Sequence, residues 1–366
     1  MKKIFVDVYL AFNLGDDLFV DILSKKYPNA QFTLNYVGNN YDEFIKNYNN
    51  LKRRKYDLKD KLLQKLNLKN TLTNYGVIAR EYDAIIFIGG SIFRDESYHK
   101  ELYKERISMI SEFEKLNKPI FVLGSNFGPY ENREFINDYR EFFKRCTDVC
   151  FRDKYSYNLF RELPNVRYAP DIVFQLDLNK YKKANKKKVV GFSIIDVNHK
   201  VGLSKYSDEY INSTIKSIEM LINKGYNCCL MSFCEFEGDL RIIEMILSNL
   251  NKNYKKKVHI YRYNGKIEEC FNVISDFKLF VAARFHANIL AQLLEIPVLP
   301  VIYSDKTLNM LKDIGNDKLN VTMNQLNMLY NERILEEAFN NKCLSISSIK
   351  NEASQQFNEL SKFIFK

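Results

Sequence analysis

The sequence predicts an α/β protein of two Rossmann-like domains facing each other across a cleft, with a C-terminal helix packing back on the first domain. Three observations predict it. Short apolar runs such as 84–88, 120–123 and 149–151 are continuous rather than alternating, which marks strands covered on both faces and hence parallel sheets flanked by helices. Longer stretches of helical spacing stand between these runs, giving a βαβ alternation. At about 150 residues per domain, 366 residues make two domains.

Each element follows from its own stretch of chain. Residues 4–10 read as a strand, and 16–26 as a helix with Leu18, Phe19, Ile22 and Leu23 on one face. The segment 39–80 is highly charged, reads as helical, and decorates the first domain, which is expected to span 1–180. At 177–188 the composition turns to DLNKYKKANKKK, the composition of a linker. A second domain over 187–340 restarts the pattern, with strands at 189–195, 228–232, 258–261, 279–282 and 298–302 and a helix near 209–224. The last stretch places Phe357, Leu360, Phe363 and Ile364 at helical spacing. Residues 345–366 are therefore expected to form the helix that returns to the first domain.

Composition narrows the function classes. Gly (13) and Pro (7) are too few for a collagen-like or disordered chain. Seven scattered cysteines, several in apolar runs (Cys150, Cys228, Cys229), read as small hydrophobes and not as a disulfide framework. No Cys/His spacing suits a metal, and none is expected. Asp7 interrupts the first apolar run and no small-residue cleavage site follows it, so a strand is expected there in place of a signal peptide. No apolar window reaches the length of a membrane span, and a cytoplasmic protein is expected. The excess of 55 Lys+Arg over 45 Asp+Glu, +10 in all, suits anionic partners. An anionic face of the inner membrane, touched peripherally, is one of them. Nucleic acid is not expected, because the lysines are dispersed and not interleaved with aromatics on one face.

Open α/β sheets bind ligands at the carboxyl ends of their strands, and five such places carry unusual residues. After the first strand, Asn13, Gly15 and Asp16 combine a capping side chain, a residue that permits close approach, and a helix start able to hold an anion. Gly89, Gly90 and Ser91 follow the 84–88 strand, and Ser125 and Asn126 follow the next, in loops richer in small and polar residues than a turn requires. Arg152 closes the 149–151 strand within reach of an anion. The fifth place is the most specific. Arg284 and His286 stand two residues apart between an apolar strand and an apolar helix. The arginine offers a planar fork suited to carboxylate or phosphate, and the histidine exchanges a proton near neutral pH. Lys306, at the end of the next strand, should point into the same cleft.

These residues lie in ordered motifs: N-L-G-D-D, I-G-G-S, G-S-N-F-G-P, F-R-D-K-Y-S, A-P-D at 169–171, R-F-H-A, and Y-S-D-K after P-V-L-P. In order and spacing, from about Lys3 to Leu311, the chain resembles the polysaccharide pyruvyl transferases. The resemblance implies a GT-B-like, two-domain enzyme. Such an enzyme transfers a pyruvyl (carboxyethylidene) group from phosphoenolpyruvate to a sugar of a cell-surface glycan or its lipid-linked precursor, with no cofactor. Ser91 departs from the G-G-G that often ends the second of these motifs, which bears on the acceptor. On this reading Arg284, Lys306 and Arg152 hold the donor. His286 is the general acid or the base, Asn13, Asp16, Ser91 and Asn126 contact hydroxyls, and Gly15, Gly89, Gly90 and Ser125 line the site. The donor side is then the second domain and the acceptor side the first. Removing Arg284 or His286 should end activity with little change in stability.

Two other classes compete. A glycosyltransferase of the same architecture, using a nucleotide sugar, needs a second-domain carboxylate for the ribose, and Glu268 or Glu269 is available for that. A non-catalytic binding protein would not need Arg284, His286 and Lys306 grouped at apolar strand ends.

Overall fold

The computed structural model describes residues 1–56, 58–66, 72, 74–341 and 346–366. The chain divides into two compact units. The first is Met1–Leu10, Phe19–Ile172 and Asn351–Lys366, and the second is Ala11–Leu18 and Val173–Lys350.

The first unit is built on seven strands: β1 (Lys3–Asp7), β2 (Gln31–Leu34), β3 (Leu51–Arg53), β4 (Ala84–Ile88), β5 (Ile120–Ser125), β6 (Asp148–Phe151) and β7 (Val166–Tyr168). All pair in parallel, in the order β3-β2-β1-β4-β5-β6-β7. Every residue of β4 and β5 is buried, as their unbroken apolar runs require. β1 is shorter than the expected 4–10 because its last partners are Leu34 and Phe87, beyond which neither neighbour offers a register. The core is aromatic. Phe93, Phe127, Tyr139, Phe142, Phe143 and Phe160 meet largely edge to face at 4.8–6.1 Å. Such pairs each add about 0.5–1.5 kcal/mol to the burial of their area.

The insertion 39–80 is not simply helical. It contributes edge strand β3 between the helices Asp42–Ile45 and Leu58–Lys65, while residues 57, 67–71 and 73 lie outside the described residues. The sequence hides β3 because an edge strand has one neighbour and needs little apolar content.

The second unit has β8 (Val189–Ser193), β9 (Asn227–Ser232), β10 (Val258–Arg262), β11 (Leu279–Ala282), β12 (Val298–Ile302) and β13 (Val321–Thr322). They form a parallel sheet in the order β10-β9-β8-β11-β12-β13. Its core is aliphatic, with Ile218, Leu230, Ile242, Ile246, Leu279 and Leu299 all buried.

Two boundaries differ from the sequence expectation. The loop Ala11–Leu18, placed by sequence in the first domain, groups with the second unit. There Leu14 N donates to Phe233 O at 3.1 Å, and the Tyr263 hydroxyl donates to buried Asp17 at 2.7 Å. The lysine run at 177–188 belongs wholly to the second unit and is not a free linker. Lys183 and Lys187 pair with Asp276, and Lys182 with Glu295.

The C-terminal segment forms two short helices, Ser347–Ser354 and Asn358–Ile364, around the 3-10 turn Gln355–Phe357, and joins the first unit from Asn351 onward. Residue 345, the expected start of that helix, lies outside the described residues. Phe357 meets the Tyr27 ring edge-on at 5.9 Å. Gln356 is fully buried. It accepts from Gly124 N and donates to the carbonyls of Phe151, Ala169 and Pro170. No helix among the described residues is long and apolar enough to cross a membrane.

Candidate functional site

In the second unit the strand order reverses between β8 and β11, the point where an open α/β sheet leaves a crevice beyond its carboxyl ends. Arg284 sits there, on extended backbone just before the helix Phe285–Leu293. Its N–H donates to Ser193 Oγ at 3.0 Å, tying the ends of the two strands together. His286, half-buried, follows in the first turn of that helix. Its ring defines the need for Gly15: a Cβ on Gly15 would lie 1.9 Å from His286 Nδ1. Residues more than 270 positions apart thus form one wall. Asn13 holds the other end of that loop by capping the helix Leu14–Lys26, its Oδ1 accepting from Gly15 N at 3.0 Å. Asp16 is half-buried in the first turn beside it.

The Arg284 fork, expected to grip a ligand anion, is instead committed to the chain's own carboxylates. Nε donates to Asp239 Oδ2 at 3.0 Å, Nη2 donates to Asp239 Oδ1, and Nη1 donates to Glu237 Oε2 at 2.6 Å. Asp239 is fully buried and also accepts from the backbone N–H groups of Phe233 and Cys234. Burial opposes the charge of Arg284, but the two carboxylates outweigh it and hold the guanidinium well above its ordinary value. Glu237 carries the network outward, accepting from Lys200 Nζ at 2.8 Å and Asn13 Nδ2 at 3.1 Å. Burial opposes its charge too, and Arg284 and Lys200 more than offset it, holding the carboxyl well below the usual range. Three of the five N–H groups of the guanidinium thus point at carboxylates of the chain itself.

Lys306 stands in the first turn of the helix Asp305–Asp313, its ammonium 5.8 Å from the centre of the Tyr303 ring. Lys200 approaches the same ring at 6.0 Å. Burial pushes the Tyr303 phenol up. Lys306, then Lys200 and Arg284, push it down by more, so that it rests below its ordinary value. The second unit thus collects one exchangeable histidine and a positive field at adjacent strand ends.

The first unit gathers the other predicted residues into a separate cluster. Arg152, buried, donates from Nη1 to Asp171 Oδ2 at 2.9 Å and from Nη2 to Asn126 Oδ1 at 2.6 Å. Ser91 Oγ donates to the same amide oxygen at 3.0 Å, and Ser125 Oγ donates to Gly89 O at 2.8 Å. Gly90 lies against the guanidinium, where a Cβ would come within 2.5 Å of Arg152 Nη1. Arg152 is thus held within the first unit by its own acid and amide.

Sequence reasoning missed Lys200, Glu237, Asp239, Tyr263 and Tyr303. The strand-end rule, extended to β8, β9 and β10, reaches Lys200, the run E-F-E-G-D at 235–239, and Tyr263. Glu268 and Glu269 are exposed and face the surface lysines Lys180 and Lys266. Among the described residues no group of three or more His, Cys, Asp or Glu side chains is arranged to hold a metal ion.

Comparison with known proteins follows these lines. The model of the polysaccharide pyruvyl transferase family matches residues 13–305, which takes in the residues of both clusters named above except Lys306. The amylovoran biosynthesis protein AmsJ of Erwinia amylovora is 19% identical over 259 residues, 64% of this chain and 60% of that protein. The chain thus spans about three fifths of the length of this curated relative. Among solved structures, Anabaena Alr3699/HepE in complex with UDP and glucose superposes with a TM-score of 0.62 at 12% identity, over 100% of this chain and 99% of that one. The UDP-GlcNAc 2-epimerase of Methanocaldococcus jannaschii gives 0.60 at 10% identity, over 98% and 99%. At such identity these likenesses show the GT-B-like fold alone.

Proposed function

The chain belongs to the polysaccharide pyruvyl transferase family, and from that premise we propose that it moves a pyruvyl group from phosphoenolpyruvate onto two hydroxyls of one sugar. The sugar belongs to a cell-surface glycan or its lipid-linked precursor, and phosphate is released. The observation that supports this most is the meeting of Gly15 with His286 in the unit that carries Lys200 and Lys306. One unit thus supplies both a histidine ring against Gly15 and two ammonium groups at Tyr303, the two kinds of group that an anionic donor undergoing protonation asks for.

The steps balance without a redox partner. A proton added to the enol methylene of the donor turns it into a methyl group and leaves an oxocarbenium-like centre at the adjacent carbon. One sugar hydroxyl attacks that carbon and loses its proton. The bond from this carbon to the phosphate oxygen then breaks as the second hydroxyl adds, closing the ketal. Of the two hydroxyl protons, one is accounted for by the new methyl group and the other by the released phosphate. His286 handles the proton that passes between hydroxyl and methylene carbon, a role worth about 10²–10⁴-fold in rate. Lys306 stabilises the departing phosphate. Asp16 and Ser91, both half-buried, contact sugar hydroxyls. Phosphoenolpyruvate is a substrate, and no resident cofactor enters the scheme. The +10 charge suits work at the cytoplasmic face of a membrane, where a lipid-linked acceptor would be presented.

The test is phosphate release from phosphoenolpyruvate across a panel of glycan acceptors, with and without UDP-hexose. Release should require both phosphoenolpyruvate and an acceptor. His286→Asn should lower the rate by about 10²–10⁴-fold while leaving the thermal midpoint nearly unchanged. Consumption of UDP-hexose with no release from phosphoenolpyruvate would replace the reading with nucleotide-sugar transfer.

A further inference from the structure

A donor carrying both a carboxylate and a phosphate needs two or three convergent cations. Of the three that the sequence nominates, Arg284 is committed to Asp239 and Glu237, and Arg152 is held in the first unit by Asp171 and Asn126. The third, Lys306, stands beside Tyr303. A different cation stands beside it. Lys200, from the loop after β8, brings its ammonium to 6.0 Å from the Tyr303 ring that Lys306 approaches at 5.8 Å. Its side chain is 19% exposed, so it is reachable from solvent yet oriented by Glu237 at 2.8 Å.

A neutral donor completes the place. Ser304 directly precedes the helix Asp305–Asp313 and makes no side-chain cap bond. Its hydroxyl is buried and has no hydrogen-bond partner among the described residues. A buried hydroxyl at a helix start, between Tyr303 and the turn that carries Lys306, suits an anionic oxygen, because helix N-termini favour negative charge.

We propose that Lys200 is a further donor-binding residue, which holds the phosphate of the donor together with Lys306 and Ser304 around Tyr303. This rests on the reading of phosphoenolpyruvate as donor. Glu237 positions Lys200, just as it positions Arg284. Lys200 and Lys306 both bring an ammonium to Tyr303, while Asp239 and Glu237 hold Arg284.

The experiment compares the full chain with Lys200→Met, Lys200→Arg and Ser304→Ala. Binding of phosphoenolpyruvate and of inorganic phosphate is measured by calorimetry, and turnover is measured as phosphate release with acceptor. Lys200→Met should weaken both ligands by about 10- to 100-fold, the scale of one charge-assisted hydrogen bond. It should raise KM for phosphoenolpyruvate more than it lowers kcat. Lys200→Arg should recover most of the affinity. Ser304→Ala should have a smaller effect in the same direction. Unchanged binding of both ligands by Lys200→Met overturns the proposal while leaving the transfer reading intact. If phosphoenolpyruvate binds the unaltered chain through Lys200 but no acceptor draws phosphate release, the transfer reading falls and the Lys200 site stands. If the unaltered chain binds neither ligand, both fall.

Discussion

In the first unit Arg152 ends β6 against one carboxylate, Asp171, and one amide, Asn126. In the second unit Arg284 follows β11 against two carboxylates, and the outer one, Glu237, holds Lys200 as well. Both arginines are buried, at 4% and 6% exposure, and both stand where a parallel strand hands over to a helix. The first cluster joins Arg152, Asp171, Asn126 and Ser91 by hydrogen bonds within its own unit. The second opens outward through Glu237 and Lys200 toward Tyr303, Lys306 and a titratable ring. The same device, an arginine neutralised at a strand end, serves as a frame in one unit and as the base of a charged site in the other.

The comparison can be broken most decisively at the arginines. Arg284→Met takes the guanidinium from buried Asp239 and leaves half-buried Glu237 with Lys200, and Arg152→Met takes it from buried Asp171. Each should cost about 3–5 kcal/mol in denaturant unfolding. That reverses the sequence expectation that Arg284 could be removed with little loss of stability. If either variant unfolds at the same denaturant concentration as the unaltered chain, its cluster does not carry the fold. A smaller effect is expected at the peg of the first unit. Gln356→Leu removes the partner of three carbonyls and one N–H, and should cost roughly 2–3 kcal/mol, with donor binding unchanged. Weakened binding of phosphoenolpyruvate would show that the frame and the site are not separable.

The smallest effect sharpens the electrostatic contrast. The folded carboxyl of Glu237 lies well below the usual range, whereas in the unfolded chain it titrates near ~4.3. Below that pH the unfolded chain takes up a proton that the folded one does not, so stability falls as the pH is lowered. Above it the contribution is fully present. In unfolding midpoints taken between about pH 5 and pH 2.5, Glu237→Gln should therefore show a shallower decline, by about one proton. An equal slope would mean that Glu237 is not held as a carboxylate by Arg284 and Lys200.

Much of the fold is legible in the sequence because buried parallel strands leave a direct mark. β4, β5, β6 and the central strands of the second unit are continuous apolar runs that helical patterns separate. The edge strands β3 and β13 leave little mark, since a strand with one neighbour and a few residues need not be apolar. The loop Ala11–Leu18 reads locally as a cap between β1 and a helix. Its grouping with the second unit depends on Phe233 and Tyr263, more than 200 residues away.

The candidate site divides in the same way. That Gly15, Arg284, His286 and Lys306 are site candidates was determined by residue type and position, because chemistry-bearing side chains at strand ends are legible one motif at a time. Which charge meets which was decided only by tertiary structure. Nothing near Arg284 in the chain shows that Asp239 and Glu237 will claim its fork. Nothing near Lys200 shows that it will face the ring beside Lys306. Ion pairing falls steeply with distance through space and takes no account of distance along the chain. A sequence can therefore name the charged residues of a site while leaving their partners to the fold.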